Sequence, residues 1–366
     1  MIYESAQWIG DLDETLQAMP QLAALKGHAV LITGAGGLIC SAAADLLLRY
    51  NETCCAPQEY VKVYAAGRSE KRMRDRFGEL LDRPYFRFLS YDASAGGNSF
   101  PDDIDFIIHG AGNANPGLYA KEPVQTMLGN IRGMQELLEY ARTRGRGRVL
   151  YISSSEVYGL RADGAPAVPF REDEYGFVDI LNPRNCYAAS KRAAETLCAS
   201  YAAQYGVEAV IVRPGHIYGP TASLSDSRVS SAWAYKAAEG EDIVMKSAGT
   251  QIRSYCYCLD CASAIFKVLT DGETARAYNI SNPDSIVSIR EMGELLAEYG
   301  HVKMVREEAN EAEKKNFNPM DNSSLDSTAL MELGWRGLFS ARKGFAHTVE
   351  ILRSMKQVND KKRLQR

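Results

Sequence analysis

Residues 34–40 read Gly34-Ala-Gly-Gly37-Leu-Ile-Cys40, directly behind an apolar run at 29–33 and directly ahead of a helical pattern over 38–49. No other stretch limits the fold as severely. Glycines between a strand and a helix serve a turn in which the main chain must approach something closely. Gly34 permits the sharp turn, Gly36 continues it, and Gly37 lets the backbone reach a pyrophosphate. The amides of Leu38 and Ile39 then face that group at the positive end of the helix. Cys40 takes the third glycine of the usual pattern, a helix–strand packing position that a small apolar thiol can fill.

Strand patterns recur at 61–66, 86–91, 105–109, 149–153 and 209–213, with helical patterns near 124–142 and 187–205. Strands separated by helices mean parallel βαβ units with right-handed crossovers. The expected class is therefore α/β, a doubly wound parallel sheet of the Rossmann type. Beyond Pro220 the rhythm is irregular: a polar loop at 221–226, a helix at 229–239, short strands, and a helix at 289–299. The expected division is a helical extension at 1–26, a dinucleotide domain with catalytic residues at 27–220, and a smaller C-terminal substrate-binding lobe at 221–355. A strand near 278–280 is able to rejoin the main sheet. In the extension Trp8, Ile9, Leu12, Leu16 and Met19 follow helical spacing, and 356–366 is expected to be a frayed basic tail.

Forty-two basic against 46 acidic side chains leave a net charge of −4, so no global field draws the chain to nucleic acid or anionic lipid. The apolar stretch at 29–48 is interrupted by Thr33, glycines, Ser41 and Asp45 and cannot face lipid. Glu4, Asp11, Asp13 and Glu14 stand where a signal peptide would be positive. A cytoplasmic protein without nucleic-acid or membrane partners is expected. Cys256, Cys258 and Cys261 have no fourth ligand nearby for a structural zinc; they are expected to be buried thiols in a strand running into a helix, with no metal.

Tyr187 and Lys191 lie four apart at the start of a helix, on one face. An ammonium beside a phenol favours the phenolate, lowering a pKa that is ordinarily about 10, which makes a general base. Ser154 and its neighbours Ser153, Ser155 and Glu156 end a strand, where ligands of open α/β sheets gather. Ser154 is expected to hold a substrate hydroxyl while Tyr187 takes its proton and hydride leaves to a nicotinamide. No carboxylate follows the second strand; Arg68 stands there and could face a 2′-phosphate, so NAD is expected, with NADP possible. Asp92, ending the third strand, reads either as a contact to adenine or as a strand-end cap.

These strings, with Ile108-His109-Gly110-Ala111-Gly112, Asn130, Ser154-Ser-Glu-Val-Tyr-Gly159, Arg213-Pro-Gly-His-Ile-Tyr-Gly-Pro220, Gly249-Thr-Gln-Ile-Arg253 and Tyr278-Asn-Ile-Ser-Asn-Pro283, resemble the extended short-chain dehydrogenases/reductases of the nucleotide-sugar epimerase/dehydratase branch over about 27–300. Glu172-Asp-Glu-Tyr-Gly, Asn182-Pro-Arg-Asn-Cys-Tyr187 and Lys191-Arg-Ala-Ala-Glu-Thr-Leu-Cys198 most resemble UDP-glucuronate decarboxylases. The resemblance implies a tightly held nicotinamide cofactor that oxidises C4 of a nucleotide-linked sugar, with UDP the expected nucleotide, and then returns the hydride. It implies Ala111, Gly112 and Pro214 as further cofactor contacts, Glu156 as a catalytic group, and Ser155, Arg184, Arg228 and Arg253 as substrate contacts. It also implies a homodimer through the helices at 127–141 and 187–205.

Departures narrow the chemistry. The 4,6-dehydratases carry Asp-Glu after the catalytic Ser/Thr, whereas this chain has Ser155-Glu156, and a serine hydroxyl is far too weak an acid to protonate a departing C6 hydroxyl. A 4-keto glucuronate is a β-keto acid that loses CO2 readily, needing orientation and a proton donor. Arg184 and Arg253 suit a carboxylate or a diphosphate, which guanidinium pairs bidentately. Tyr187 is followed by Ala-Ala-Ser where the decarboxylases have Asp-Glu-Gly, and His216 replaces the usual Asn and is expected to be a satisfied core histidine. A 4-epimerase would use the same Ser154, Tyr187 and Lys191. A non-enzymatic cofactor sensor would have no need of them.

Overall fold

The computed structural model describes residues 2–119, 121–162, 164–308, 310 and 320–364. Strand β1 (Ala29–Thr33) is buried at every position, as a central parallel strand covered on both faces must be. It pairs in parallel with β2 (Lys62–Gly67) on one side and β4 (Phe106–His109) on the other, Thr33 lying between Ala66 and His109. Adding β3 (Phe86–Ser90), β5 (Arg148–Ile152), β6 (Ala209–Pro214) and β10 (Ala277–Ile280) gives a parallel sheet in the order β10-β6-β5-β4-β1-β2-β3. The order reverses at β1/β4, opening the crevice where ligands of such sheets bind.

Alternation along β1 sorts its side chains between two cores. Val30 and Ile32 pack with helix α2 (Leu38–Cys54), helix α3 (Glu70–Phe77) and helix α8 (Cys258–Asp271). Ala29 and Leu31 pack on the opposite face with α5 (Pro123–Arg144) and α6 (Cys186–Tyr205). Pro123 opens α5 where its missing N–H costs nothing, and Gly145 at φ +61° closes it.

The lobe adds a three-stranded sheet, β11-β9-β7 (Ile286–Ser288, Ile252–Tyr257, His216–Tyr218), and a pair, β12-β8 (Met304–Arg306, Ile243–Met245). Helices α7 (Val229–Glu239) and α9 (Ile289–Gly300) pack with them. Cys256 ends up in β9 and Cys258 and Cys261 in α8, all three buried.

Two expectations at the chain ends need correction. Helix α1 (Ala6–Gln17) buries Trp8 and Leu12, and Met19 lies beyond its end. The segment expected to fray instead continues a helix, Ala341–Leu364, through Leu364. Phe345, Val349 and Leu352 are buried on it, and the Lys, Gln, Arg and Leu beyond are good helix formers, so an anchored helix propagates outward.

Candidate active site

A cavity of about 760 Å³ opens at the carboxyl ends of β4, β5 and β6, between the main sheet and the lobe. It brings together Ser154, Ser155, Glu156, Arg184, Tyr187, Lys191, Pro214, Arg228 and Arg253, with Ile39 and Gly112 from the cofactor side.

The cradle is made of backbone. Gly34 has φ +70°, and a Cβ there would lie 2.9 Å from the Ala111 amide nitrogen. Gly37 caps α2 with no side-chain hydrogen bond, leaving first-turn amides without intrahelical acceptors. A dinucleotide pyrophosphate fits this arrangement, with Gly34, Gly36, Gly37, Leu38 and Ile39 around it. Cys40 has its own compensation: a Cβ at Gly110 would collide with the Cys40 sulfur, so the glycine missing from the helix is supplied across the turn. Burial pushes the Cys40 thiol up to about 12. The Ala111 amide is committed to Thr33 Oγ1 at 3.2 Å.

Arg68 and Asp92 stand outside the cavity lining. Asp92 Oδ1 accepts from the Ser94 amide at 2.9 Å and the Ser94 hydroxyl at 2.7 Å, closing the turn that follows β3. Those bonds, aided weakly by Arg68, hold its carboxyl below the usual range against burial. Arg68 is exposed at the end of β2.

Tyr187 sits in the first turn of α6, buried, its ring stacked on Tyr119 at 5.3 Å and 12°. Asn130 Nδ2 donates to Ser190 Oγ at 2.9 Å, and Ser190 donates to the Tyr187 carbonyl at 3.0 Å, so α5 fixes this turn. Lys191 Nζ donates to the Ile152 carbonyl at 2.7 Å and lies 5.6 Å from the Tyr187 ring centroid. The expected lowering of the phenol by Lys191 is not what the structure gives. Burial pushes the phenol well up, with a hydrogen bond from Ser154 and the charge of Arg228 opposing. Burial likewise brings Lys191 down to about 8. Removing both groups from water penalises both charged forms.

Glu156 is exposed to the open cavity, and the protein packed around that cavity raises its pKa against the charges of Arg184 and Arg253. The turn bearing it is held from behind: Arg192 Nε donates to the Val157 carbonyl at 2.6 Å, and buried Arg213 pairs with Glu195 at 2.7 Å and donates to Tyr158 at 3.0 Å.

The three arginines differ. Arg228 is clamped on Asp226, its Nε 3.0 Å from both carboxylate oxygens. Arg253 is 3% exposed, with Nη1 on the Ile252 and Met320 carbonyls at 2.8 and 3.1 Å. Arg184 is exposed and forms no ion pair among the described residues.

His216 corrects another expectation. It lines the cavity, and its Nδ1 is buried without a hydrogen-bond partner among the described residues. Burial, then Arg253 and Arg228, bring its pKa down to about 3, keeping the ring neutral. Two residues past the end of β6, at the start of β7, this histidine is turned outward into the crevice rather than into the core. Tyr119, Trp233 and Tyr255 also line the cavity and were not singled out from sequence. Tyr119 follows the carboxyl end of β4, a position that alone would have marked its loop.

A glycine cradle on a helix N-terminus, beside a Ser/Tyr/Lys set at the edge of a parallel sheet, defines a dinucleotide-dependent α/β enzyme. Residues 30–281 match the NAD dependent epimerase/dehydratase family, and the chain belongs to that family, with NAD as its cofactor. It is 31% identical over 319 residues to UDP-glucuronic acid decarboxylase 6 of Arabidopsis thaliana, covering 86% of each chain. Its fold is similar to UDP-glucose 4-epimerase of Thermotoga maritima, solved with UDP-glucose (TM-score 0.72, 20% identity, 90% of this chain and 99% of that one). It is also similar to a variant of UDP-glucuronic acid 4-epimerase from Bacillus cereus (TM-score 0.71, 19% identity, 89% and 99%). No helix among the described residues is long and apolar enough to cross a membrane.

Proposed function

We propose that the chain converts a UDP-linked glucuronate to a UDP-linked pentose by oxidation at C4, decarboxylation and reduction. The observation that carries this reading is one cavity holding a Ser/Tyr/Lys set at its cofactor end, the Glu156 carboxyl, and three arginines. Gly34, Gly36, Gly37, Leu38, Ile39, Gly112 and Pro214 would hold NAD, which when bound would supply reversible hydride acceptance at C4. Tyr187 takes the C4 hydroxyl proton, Ser154 orients that hydroxyl and through its hydrogen bond opposes the burial of the phenolate, and Lys191 stands 5.6 Å from the phenol ring. Loss of CO2 from the β-keto acid passes its electron pair to the C4 carbonyl as an enolate. Glu156, protonated more readily than an ordinary carboxyl, delivers a proton to C5, and Tyr187 returns its proton to the C4 oxygen. Arg253 and Arg228 suit the diphosphate, Ser155 lines the same cavity, and Arg184, whose charge acts on Glu156, suits the uronate carboxylate.

Incubation with UDP-glucuronate and NAD is expected to release CO2 and a UDP-pentose. A six-carbon product inverted at C4 would identify a 4-epimerase instead. A homodimer through α5 and α6 is part of the same reading, supported by exposed Val124, Met127 and Tyr205 on those helices; light scattering at twice the chain mass is the expected result.

A further inference from the structure

Helix α1 carries a carboxylate that the rest of the fold encloses. Asp11 is 1% exposed. Its Oδ2 accepts from the Tyr257 hydroxyl at 2.8 Å, and its Oδ1 accepts from His347 Nδ1 and Gln7 Nε2, each at 2.8 Å. A carboxylate withdrawn from water persists only where donors replace its hydration. Here two of the three donors come from distant parts of the chain, β9 and the C-terminal helix.

Both lead to the cavity. Tyr257 ends β9, and alternation places it on the same strand face as Tyr255 and Arg253, which line the cavity. Strand pairing sets Tyr257 beside Tyr218 and Tyr255 beside His216. His347 follows Phe345 on the C-terminal helix, and the Phe345 ring stacks on Tyr218 at 4.0 Å and meets Tyr255 edge-on at 5.8 Å. Tyr257 closes the column against Tyr218 at 5.8 Å. Aromatic packing is thus continuous from Asp11 to the wall that carries His216 and Arg253.

We propose that Asp11 is a positioning residue for the substrate end of the cavity: by tying Tyr257 to His347 it fixes the Tyr218–Phe345–Tyr255 stack, and so sets how tightly the nucleotide diphosphate is held. This assignment rests on the nucleotide-sugar reading above. The extension is then a working part of the substrate site rather than a decoration of the cofactor domain.

The test uses the full chain, with Tyr257→Phe, which removes one hydroxyl and leaves the ring, and Asp11→Asn, which keeps the shape and removes the charge. Binding of UDP and of NAD is measured by calorimetry, with kcat and KM for UDP-glucuronate. The expected result is a rise of about three- to tenfold in the Kd for UDP and in KM, the range of one lost hydrogen bond, with NAD affinity and kcat unchanged. His347→Gln, which keeps a donor, is expected to retain most of the affinity that His347→Ala loses. If Asp11→Asn fails to fold, Tyr257→Phe decides. Unchanged UDP affinity in a folded variant, or equal loss of UDP and NAD affinity, overturns the assignment. Wild-type protein that binds NAD and not UDP defeats the nucleotide-sugar reading itself, and this assignment with it.

Discussion

The two ends of the cavity are built by different means. The cofactor end is backbone: a glycine at φ +70°, a helix N-terminus without a side-chain cap, and glycines whose missing Cβ atoms leave room. The substrate end is side chain: Arg184, His216, Arg228, Trp233, Arg253 and Tyr255 converge from separate segments of the chain. A backbone site tolerates little substitution at its glycines but is indifferent to much around them. A side-chain site depends on how each arginine is already committed: Arg228 to Asp226, Arg253 to carbonyls, and Arg184 to no ion pair among the described residues.

The contrast is broken most directly at the point where the ends meet. Tyr187→Phe removes only the transferable proton and is expected to lower kcat by about 10²–10⁴-fold while NAD affinity stays the same; retained turnover would mean that the phenol is not the base. The backbone end is probed by Gly110→Ala, which forces a methyl against the Cys40 sulfur. Thermal or urea unfolding should show a loss of about 1–3 kcal/mol, and Cys40→Gly in the same chain should recover most of it. Failure of that rescue would separate Cys40 from the missing-glycine argument.

A third probe is pH. Lys191 has a folded pKa of about 8, below its ordinary value, so above pH 8 the unfolded chain holds a proton that the folded chain has released. Stability therefore gains with rising pH between about 8 and 10 from this group. Lys191→Met should lack that gain, so wild type should improve relative to the variant across this window in denaturant titrations; a constant difference would place Lys191 in water. The smallest effect is expected at Arg68, exposed at the edge of the cradle. Arg68→Ala should weaken NADP by about threefold and NAD less, and equal changes would remove any role for it at a 2′-phosphate.

The same contrast explains how much could be read in advance. The cradle, the alternating strands and the Tyr187/Lys191 pair are local strings, and local strings encode backbone geometry and short-range spacing. The substrate end is a tertiary product. Nothing near His216 in sequence shows that Arg228 and Arg253 will stand beside it, or that its ring will face a cavity. Lys191 failed as a lever on Tyr187 for a related reason: four residues of spacing place two groups on one helix face, whereas burial, decided by the sheet and lobe around them, governs their charges. The helical course of 356–364 depends on Phe345, Val349 and Leu352 finding a core to anchor them, which residue composition does not reveal.

The central claim is a hydride removed from C4 and returned to C4 within one closed site. It is tested by following UDP-glucuronate deuterated at C4 through a single incubation with the enzyme and NAD, by mass spectrometry and NMR. The account predicts release of CO2 and a UDP-pentose that keeps the deuterium at C4; a pentose that has lost the label, or an unchanged substrate, would contradict it.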